Sequence, residues 1–297
     1  MGLRSQSMKI LITGGCGYKG SVLIPLLLDN GHEIINIDTQ WFGNYLEDHP
    51  RLRNIKLDIR NLDQIPLNDI DTVIHLANIA NDPAVELNPN LSWEVNVLAG
   101  QQLIDKAARL NIKHFIFASS GSVYGLKEEE KVTEDLELVP LSVYNKTKMI
   151  AERVFLSYSN KMKVHCIRPA TVCGISPRMR LDVSVNMLTY HALSKSIITV
   201  FGGKQTRPNI HIKDIANVYN HFLINSSIPS GCYNAGFENI SIMDIANKVK
   251  NFTGAEIKVT ESNDPRSYRQ DSTKLLNTGF IPKYGIDNAI QEISDAY

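Results

Sequence analysis

Lys9 to Gly20, KILITGGCGYKG, constrains the fold of this chain more than any other stretch. Lys9–Ile12 is apolar-rich and reads as a buried strand. It runs into Thr13-Gly14-Gly15-Cys16-Gly17-Tyr18-Lys19-Gly20 and then into Ser21–Leu28, which has helical bulk. A strand, a glycine-rich turn and a helix N-terminus together make an anion site. The glycines permit positive φ and close backbone approach, and the first-turn amides and helix dipole favour a phosphate. Gly14, Gly17 and Gly20 are spaced G-x-x-G-x-x-G, one step off the common dinucleotide fingerprint. Gly31 closes the helix, and His32–Ile37 reads as a second strand ending in Asp38. A carboxylate about 20 residues past the glycines is placed to accept the ribose hydroxyls of adenosine. The same carboxylate would repel a 2′-phosphate, and Thr39-Gln40-Trp41 supplies no cation to offset it, so the pattern favours NAD over NADP.

Composition narrows the class. The 297 residues carry 31 Lys+Arg and 31 Asp+Glu, a balance that gives no electrostatic footprint for nucleic acid or an anionic membrane. No apolar run approaches the ~20 residues that span a bilayer, and the N-terminus lacks a secretory apolar core. Met1–Ser7 is assigned no function. Cys16, Cys166, Cys173 and Cys232 form no CxxC and no metal-like cluster with histidine, so no metal is expected and the thiols read as reduced, in a cytoplasmic protein.

Strands and helices continue to alternate. Asn54–Leu57, Asp71–Ala77, Lys113–Ala118 and Lys163–Ile167 read as strands; Ser92–Leu110 and Val143–Tyr158 read as helices. Repeated β-α pairs of this size predict an α/β fold, a doubly wound, Rossmann-type parallel sheet covered on both faces, over residues 8–168. Right-handed crossovers bring Asp58, Ala77 and Ser119 to one sheet edge, where ligands bind. Beyond Pro169 the elements shorten between Gly, Pro and polar residues. Residues 169–297 are therefore expected to form mostly a smaller C-terminal α/β substrate lobe, with some segments returning to the first domain.

Tyr144 and Lys148 lie four apart on a predicted helix and share one face. An ammonium there is expected to lower the tyrosine pKa from about 10 toward the working pH. Such a tyrosine removes the proton of an alcohol as hydride leaves its carbon. The preceding Ser119-Ser120-Gly121-Ser122 loop follows a strand and offers hydroxyls to orient that alcohol. His75 and His211 fall in apolar strand-like runs and read as structural.

GGxGYxG, Asp38, Asp58-Ile59, His75-Leu76-Ala77, Ser-Ser-x-x-Val-Tyr-Gly, Tyr144-x-x-x-Lys148 and Arg168-Pro169 together resemble the extended short-chain dehydrogenase/reductase family. Within it they are similar to the NAD-dependent nucleotide-sugar epimerases, dehydratases and oxidases. The resemblance implies Tyr144 as base, Lys148 on the nicotinamide ribose and Ser120 as hydroxyl partner. It implies cofactor contacts from Gly14, Gly17, Tyr18, Lys19, Asp38, Asp58, Ile59, Leu76, Ala77 and Asn96. It implies substrate contacts from Ser120, Ser122, Thr171, Arg178, Arg180, Asn186 and Arg207, with Arg266 and Arg269 weaker candidates. The activity implied is oxidation of a sugar hydroxyl, by analogy at C4, by an epimerase or a 4-dehydrogenase; a 4-keto-sugar reductase and a non-catalytic NAD-bound sensor are the alternatives. Ser120-Gly121-Ser122 replaces the Thr-Asp-Glu of the 4,6-dehydratases, so dehydration lacks its acid and base. The run Gly174–Asp182 with Asn186 resembles a subgroup that includes an oxidase of GDP-heptose. Lys19 stands where the family carries an apolar residue, and either reaches a phosphate or points to solvent. A homodimer pairing the helices 92–110 and 143–158 across a two-fold is also implied.

Overall fold

The structure, a computed structural model, describes residues 7–262 and 267–297. Its first half winds in the order β1 (Lys9–Thr13), α1 (Gly20–Asp29), β2 (Glu33–Asp38), β3 (Leu52–Lys56) and β4 (Thr72–His75). It continues through α2 (Asp82–Leu87), α3 (Pro89–Trp93), α4 (Gly100–Arg109), β5 (His114–Ala118), α5 (Val143–Leu156) and β6 (Lys163–Pro169). Next come β7 (Thr171–Cys173), α6 (Ser184–Lys195), β8 (Ile197–Phe201), β9 (Thr206–His211), α7 (Ile212–Ile224), β10 (Gly231–Ala235) and β11 (Glu238–Ser241). The chain ends with α8 (Ile242–Thr253), β12 (Glu256–Thr260), α9 (Thr273–Leu276) and α10 (Ile286–Ala296).

Seven strands form one parallel sheet in the order β10-β6-β5-β4-β1-β2-β3. The doubly wound α/β class read from the sequence holds. β10 comes from beyond residue 169 and still pairs with β6, Cys232 opposite Cys166. The inner strands β1, β4, β5 and β6 are buried on both sides because alternate residues feed opposite layers, whereas the edge strand β3 is partly exposed. Ile10 and Ile12 join Ile74 and Ile116 against α1 and α7; Leu11 joins Val73, Phe115 and Phe117 against α4 and α5. A third apolar cluster, built from α6, α8, α10 and β8, holds the rest of the C-terminal part. Strand order reverses between β1 and β4, which opens a crevice at their C-terminal ends.

The helix expected over 92–110 is interrupted. α3 and α4 are joined by a π-helical turn, Glu94–Ala99, which contains Asn96 at 2% exposure. Its amide accepts from the Ile79 N–H at 2.7 Å and donates to the Ile79 carbonyl and to Thr147 Oγ1. Such turns commonly sit at functional sites, where they re-aim one side chain.

Candidate active site

The glycine turn is packed as a phosphate cradle requires. Gly14 has φ +77°, and a Cβ on it would lie 2.5 Å from the backbone nitrogen of Ala77. A Cβ on Gly20 would lie 2.4 Å from the Gly15 carbonyl, so α1 reaches the turn only because that atom is missing. At Gly17 the nearest neighbour is the Gly14 carbonyl at 3.3 Å, which leaves its outer side open. No side chain caps α1 at Lys19. Asp38 holds the turn from the next strand: its Oδ2 accepts from the Cys16 N–H at 2.9 Å and its Oδ1 from the Gln40 N–H at 2.7 Å.

From this turn a cavity of about 540 Å³ runs across the sheet edge. Gly14, Gly17, Tyr18, Lys19, Asp38, Asp58, Ile59, Leu76 and Ala77 line one side; Ser120, Ser122, Tyr144, Thr171, Arg178, Arg180 and Arg207 line the other. Asp58 is held by Arg60, whose Nη2 approaches to 2.8 Å and whose hydrogen bonds keep the carboxyl below its usual range. The glycine cradle, the uncapped helix and the carboxylate at Asp38 fit a dinucleotide.

Tyr144, Lys148 and Glu152 fall at i, i+4 and i+8 on α5, one face turned to the sheet. Lys148 is 2% exposed; its Nζ donates to the Ala118 carbonyl at 2.6 Å and stands 5.8 Å from the centre of the Tyr144 ring. Burial, and after it the charge of Lys19, pushes the Lys148 ammonium well below its ordinary pKa. The expected lowering of the Tyr144 pKa is not found. Burial pushes the phenol up to about 12, opposed by Arg180 and by a hydrogen bond with Ser120. Desolvation outweighs the neighbouring charge because the ring sits inside the cleft wall. Ser120 is held in turn: its Oγ is 2.7 Å from Ser122 Oγ, which donates to Asn145 Oδ1 at 2.6 Å.

Several residues named from the sequence stand behind the cavity wall. Asn96 secures Ile79, which lines the cavity. Asn186 is fully buried: its Oδ1 accepts from the Gly174 N–H at 2.9 Å, and its Nδ2 donates to the Arg180 carbonyl and to Tyr18 Oη. The Tyr18 hydroxyl donates to the Gly174 carbonyl at 2.7 Å, so this side chain ties the glycine turn to the loop after β7. Lys19 is half-buried and lines the cavity. Arg180 Nε donates to Asp182 Oδ1 at 2.9 Å, and the Arg178 guanidinium stacks 4.1 Å from the Phe42 ring. Arg266 lies outside the described residues, and Arg269 is exposed.

Sequence reasoning missed the support beneath the site. Glu152 receives both arms of Arg168, at 2.9 and 2.7 Å, and the Ser119 hydroxyl at 2.5 Å, with Tyr124 closing the network onto Arg168 Nη1. The i+4 step from Lys148 to Glu152 was an available signal. Asp82 also lines the cavity and accepts from Ser142 Oγ at 2.5 Å. It opens α2 after Asn81, which has φ +68° and caps the helix through Ala84 N–H; the Asn-Asp-Pro run signals that start. His75 is fully buried on Thr13 and neutral, its pKa driven to about 3 by burial. His211 caps α7 and stacks on Tyr284.

A parallel doubly wound sheet with this cradle and this helix face defines a dinucleotide-binding oxidoreductase. Residues 10–236 match the model of the NAD dependent epimerase/dehydratase family, and the chain belongs to that family. It is 27% identical to a UDP-glucose 4-epimerase of Lactobacillus helveticus, over 95% of each chain. It is 30% identical to an uncharacterized UDP-glucose epimerase, YtcB, of Bacillus subtilis, over 98% of this chain and 99% of that one. Among solved structures, it is similar to a UDP-glucuronic acid 4-epimerase variant of Bacillus cereus bound to UDP-4-deoxy-4-fluoro-glucuronic acid and NAD. The TM-score is 0.86, with 28% identity over 98% of this chain and 100% of that one.

Proposed function

We propose that this protein is an NAD-dependent epimerase that inverts C4 of a UDP-linked sugar. The observation that carries the reading is the meeting of Tyr144 and Ser120 in the cavity that begins at the dinucleotide cradle. The relatives, a UDP-glucose 4-epimerase and a UDP-glucuronic acid 4-epimerase, supply the nucleotide and the carbon. The cofactor, when bound, supplies the hydride acceptor. The work of this chain is to place the sugar. Arg207 and Arg178 bind its diphosphate, and Arg180, Thr171 and Ser122 bind the ring hydroxyls. Ser120 hydrogen-bonds the C4 oxygen, and Tyr144 takes its proton from the phenolate form, which Arg180 and the Ser120 hydrogen bond favour against the burial that raises its pKa, and later returns it. With Ser120-Gly121-Ser122 in the loop, no carboxylate pair stands ready to expel water, which favours epimerisation over dehydration. Tyr144→Phe is expected to lower turnover of a UDP-hexose by ~10²–10⁴-fold while leaving NAD affinity in place. Unchanged turnover would reject the assignment of the base.

We further propose a homodimer through α3–α4 and α5. Trp93 and Leu98 are 37% and 52% exposed there, and cover between two copies would remove them from water. Four unpaired cysteines and a nucleotide-sugar substrate accord with work in the cytoplasm. Among the described residues no helix is long and apolar enough to cross a membrane.

A further inference from the structure

Asn81 holds a backbone conformation that side chains avoid, and it holds it in the wall of the cleft. Its φ is +68° and its ψ 162°, a region open in practice only to glycine. Such strain persists only where the surroundings over-determine it. Here they pull on one corner from three sides. Asn81 Oδ1 accepts from the Ala84 N–H at 3.0 Å and starts α2. Asn81 Nδ2 donates to Asp182 Oδ2 at 3.1 Å, 101 residues further on. The next residue, Asp82, accepts from Ser142 Oγ at 2.5 Å. Ser142 caps α5, and Tyr144 is the second residue of that helix. The corner at Asn81-Asp82 therefore joins the start of α5 to the loop between β7 and α6. Asp182 is also the carboxylate that grips Arg180: Nε donates to Oδ1 at 2.9 Å and Nη2 to Oδ2 at 2.5 Å. The Arg180 main chain is fixed separately, by Asn186 Nδ2 on its carbonyl at 2.9 Å. Asn81, Tyr144, Arg180 and Asp182 all line the one cavity.

We infer that Asn81 is a positioning residue for Arg180: from the strained corner beside the start of α5, its amide anchors Asp182, and through Asp182 the Arg180 guanidinium, in the part of the cleft where Tyr144 works. This rests on the epimerase reading above, in which Tyr144 takes the proton of the C4 hydroxyl. A cation held there favours the phenolate that accepts this proton. The groups around that phenol are Lys148 on its own helix, Ser120, Asp82, Tyr219 and Tyr268, besides Arg180. After burial, the charge of Arg180 acts on it most strongly. A half-exposed carboxylate with one arginine can swing out with it into water; the Asn81 amide gives Asp182 a second, fixed donor in the cleft wall. The strained backbone is what brings that amide to the carboxylate while the same side chain still caps α2.

The test is the pH dependence of kcat for UDP-glucose, at saturating sugar and NAD, in the full-length protein and three variants. Asn81→Gly removes the amide, adds no charge and suits the backbone angles, and glycine at a helix cap costs only a few tenths of a kcal/mol. Arg180→Met removes the cation that Asn81 is inferred to hold. The third variant combines the two. The expected result is that Asn81→Gly moves the acid limb of the profile up by about half a unit, roughly a threefold loss of turnover at any pH on that limb, without lowering the urea midpoint. In the Arg180→Met background the same substitution is expected to add no further shift, because two residues that act through one another are not additive. An unmoved acid limb in Asn81→Gly would overturn the inference, as would an equal further shift in the Arg180→Met background. A fall in the urea midpoint that accounts for the lost turnover would overturn it too, by making Asn81 a brace of the fold alone. A wild-type protein that turns over no UDP-hexose would instead overturn the epimerase reading, and this inference with it.

Discussion

Asp38 shows how much a single side chain does at this site. Its two oxygens hold the Cys16 and Gln40 amides, which shapes the turn, and the carboxylate still borders the cavity where a ribose would sit. Asp38→Ala is therefore expected to weaken NAD by at least ~10-fold in calorimetry, since it removes charge-assisted hydrogen bonds of about 1.5–3 kcal/mol. Unchanged affinity would mean that the fingerprint has been misplaced. This residue was legible in the sequence because its meaning depends on spacing along the chain. The protonation of Tyr144 was not legible. Proximity to Lys148 argued for a lowered pKa, but burial raises it to about 12, and burial is a property of the assembled fold. Asn96 and Asn186 tell the same story: their partners, Ile79, Thr147, Tyr18 and Arg180, are mostly remote in sequence, so nothing local marks them as braces.

At the scale of an element, α5 is the axis of the site. Its sheet-facing residues pass from Tyr144 through Lys148 to Glu152, from the cavity down to a buried ion pair with Arg168, whose side chains are 1% and 5% exposed. Removing one partner of such a pair strands a charge. Glu152→Gln is expected to lower the unfolding free energy by about 3–5 kcal/mol, seen as a drop in the urea midpoint with an unchanged slope. A loss below ~1 kcal/mol would mean that Arg168 finds another partner. The face of α5 that carries Tyr144 and Lys148 was readable from 3.6-residue periodicity. The π-helical turn between α3 and α4 was not, since apolar spacing continues through it and only the inward amide of Asn96 marks the extra residue.

The whole molecule brings distant parts of the chain to one edge. β1, β2, β4 and β5 deliver Gly14, Asp38, Ala77 and Ser120, as alternation of strands and helices predicted; β10, from late in the chain, completes the sheet. Three of its strands carry buried histidines, His75, His114 and His165, whose pKa values burial drives to about 3, 3 and 4. Their folded pKa values lie below the unfolded value near 6.5, so above that pH they cost nothing. As the pH falls the unfolded chain takes up protons that the folded one refuses, and stability is lost down to the folded values. Between pH 7.5 and 5.5 the three together are expected to remove about 4 kcal/mol, measured by urea unfolding at each pH. A flat profile would show that these imidazoles are solvated.

The most direct test of the account is mass spectrometry of the products after incubation with UDP-glucose and UDP-glucuronic acid, with absorbance of NADH followed in parallel. A C4-epimerase yields a C4 epimer of unchanged mass and no build-up of NADH. A product two mass units lighter with NADH accumulating would make the protein a 4-dehydrogenase, and no turnover of either sugar would contradict the epimerase reading outright.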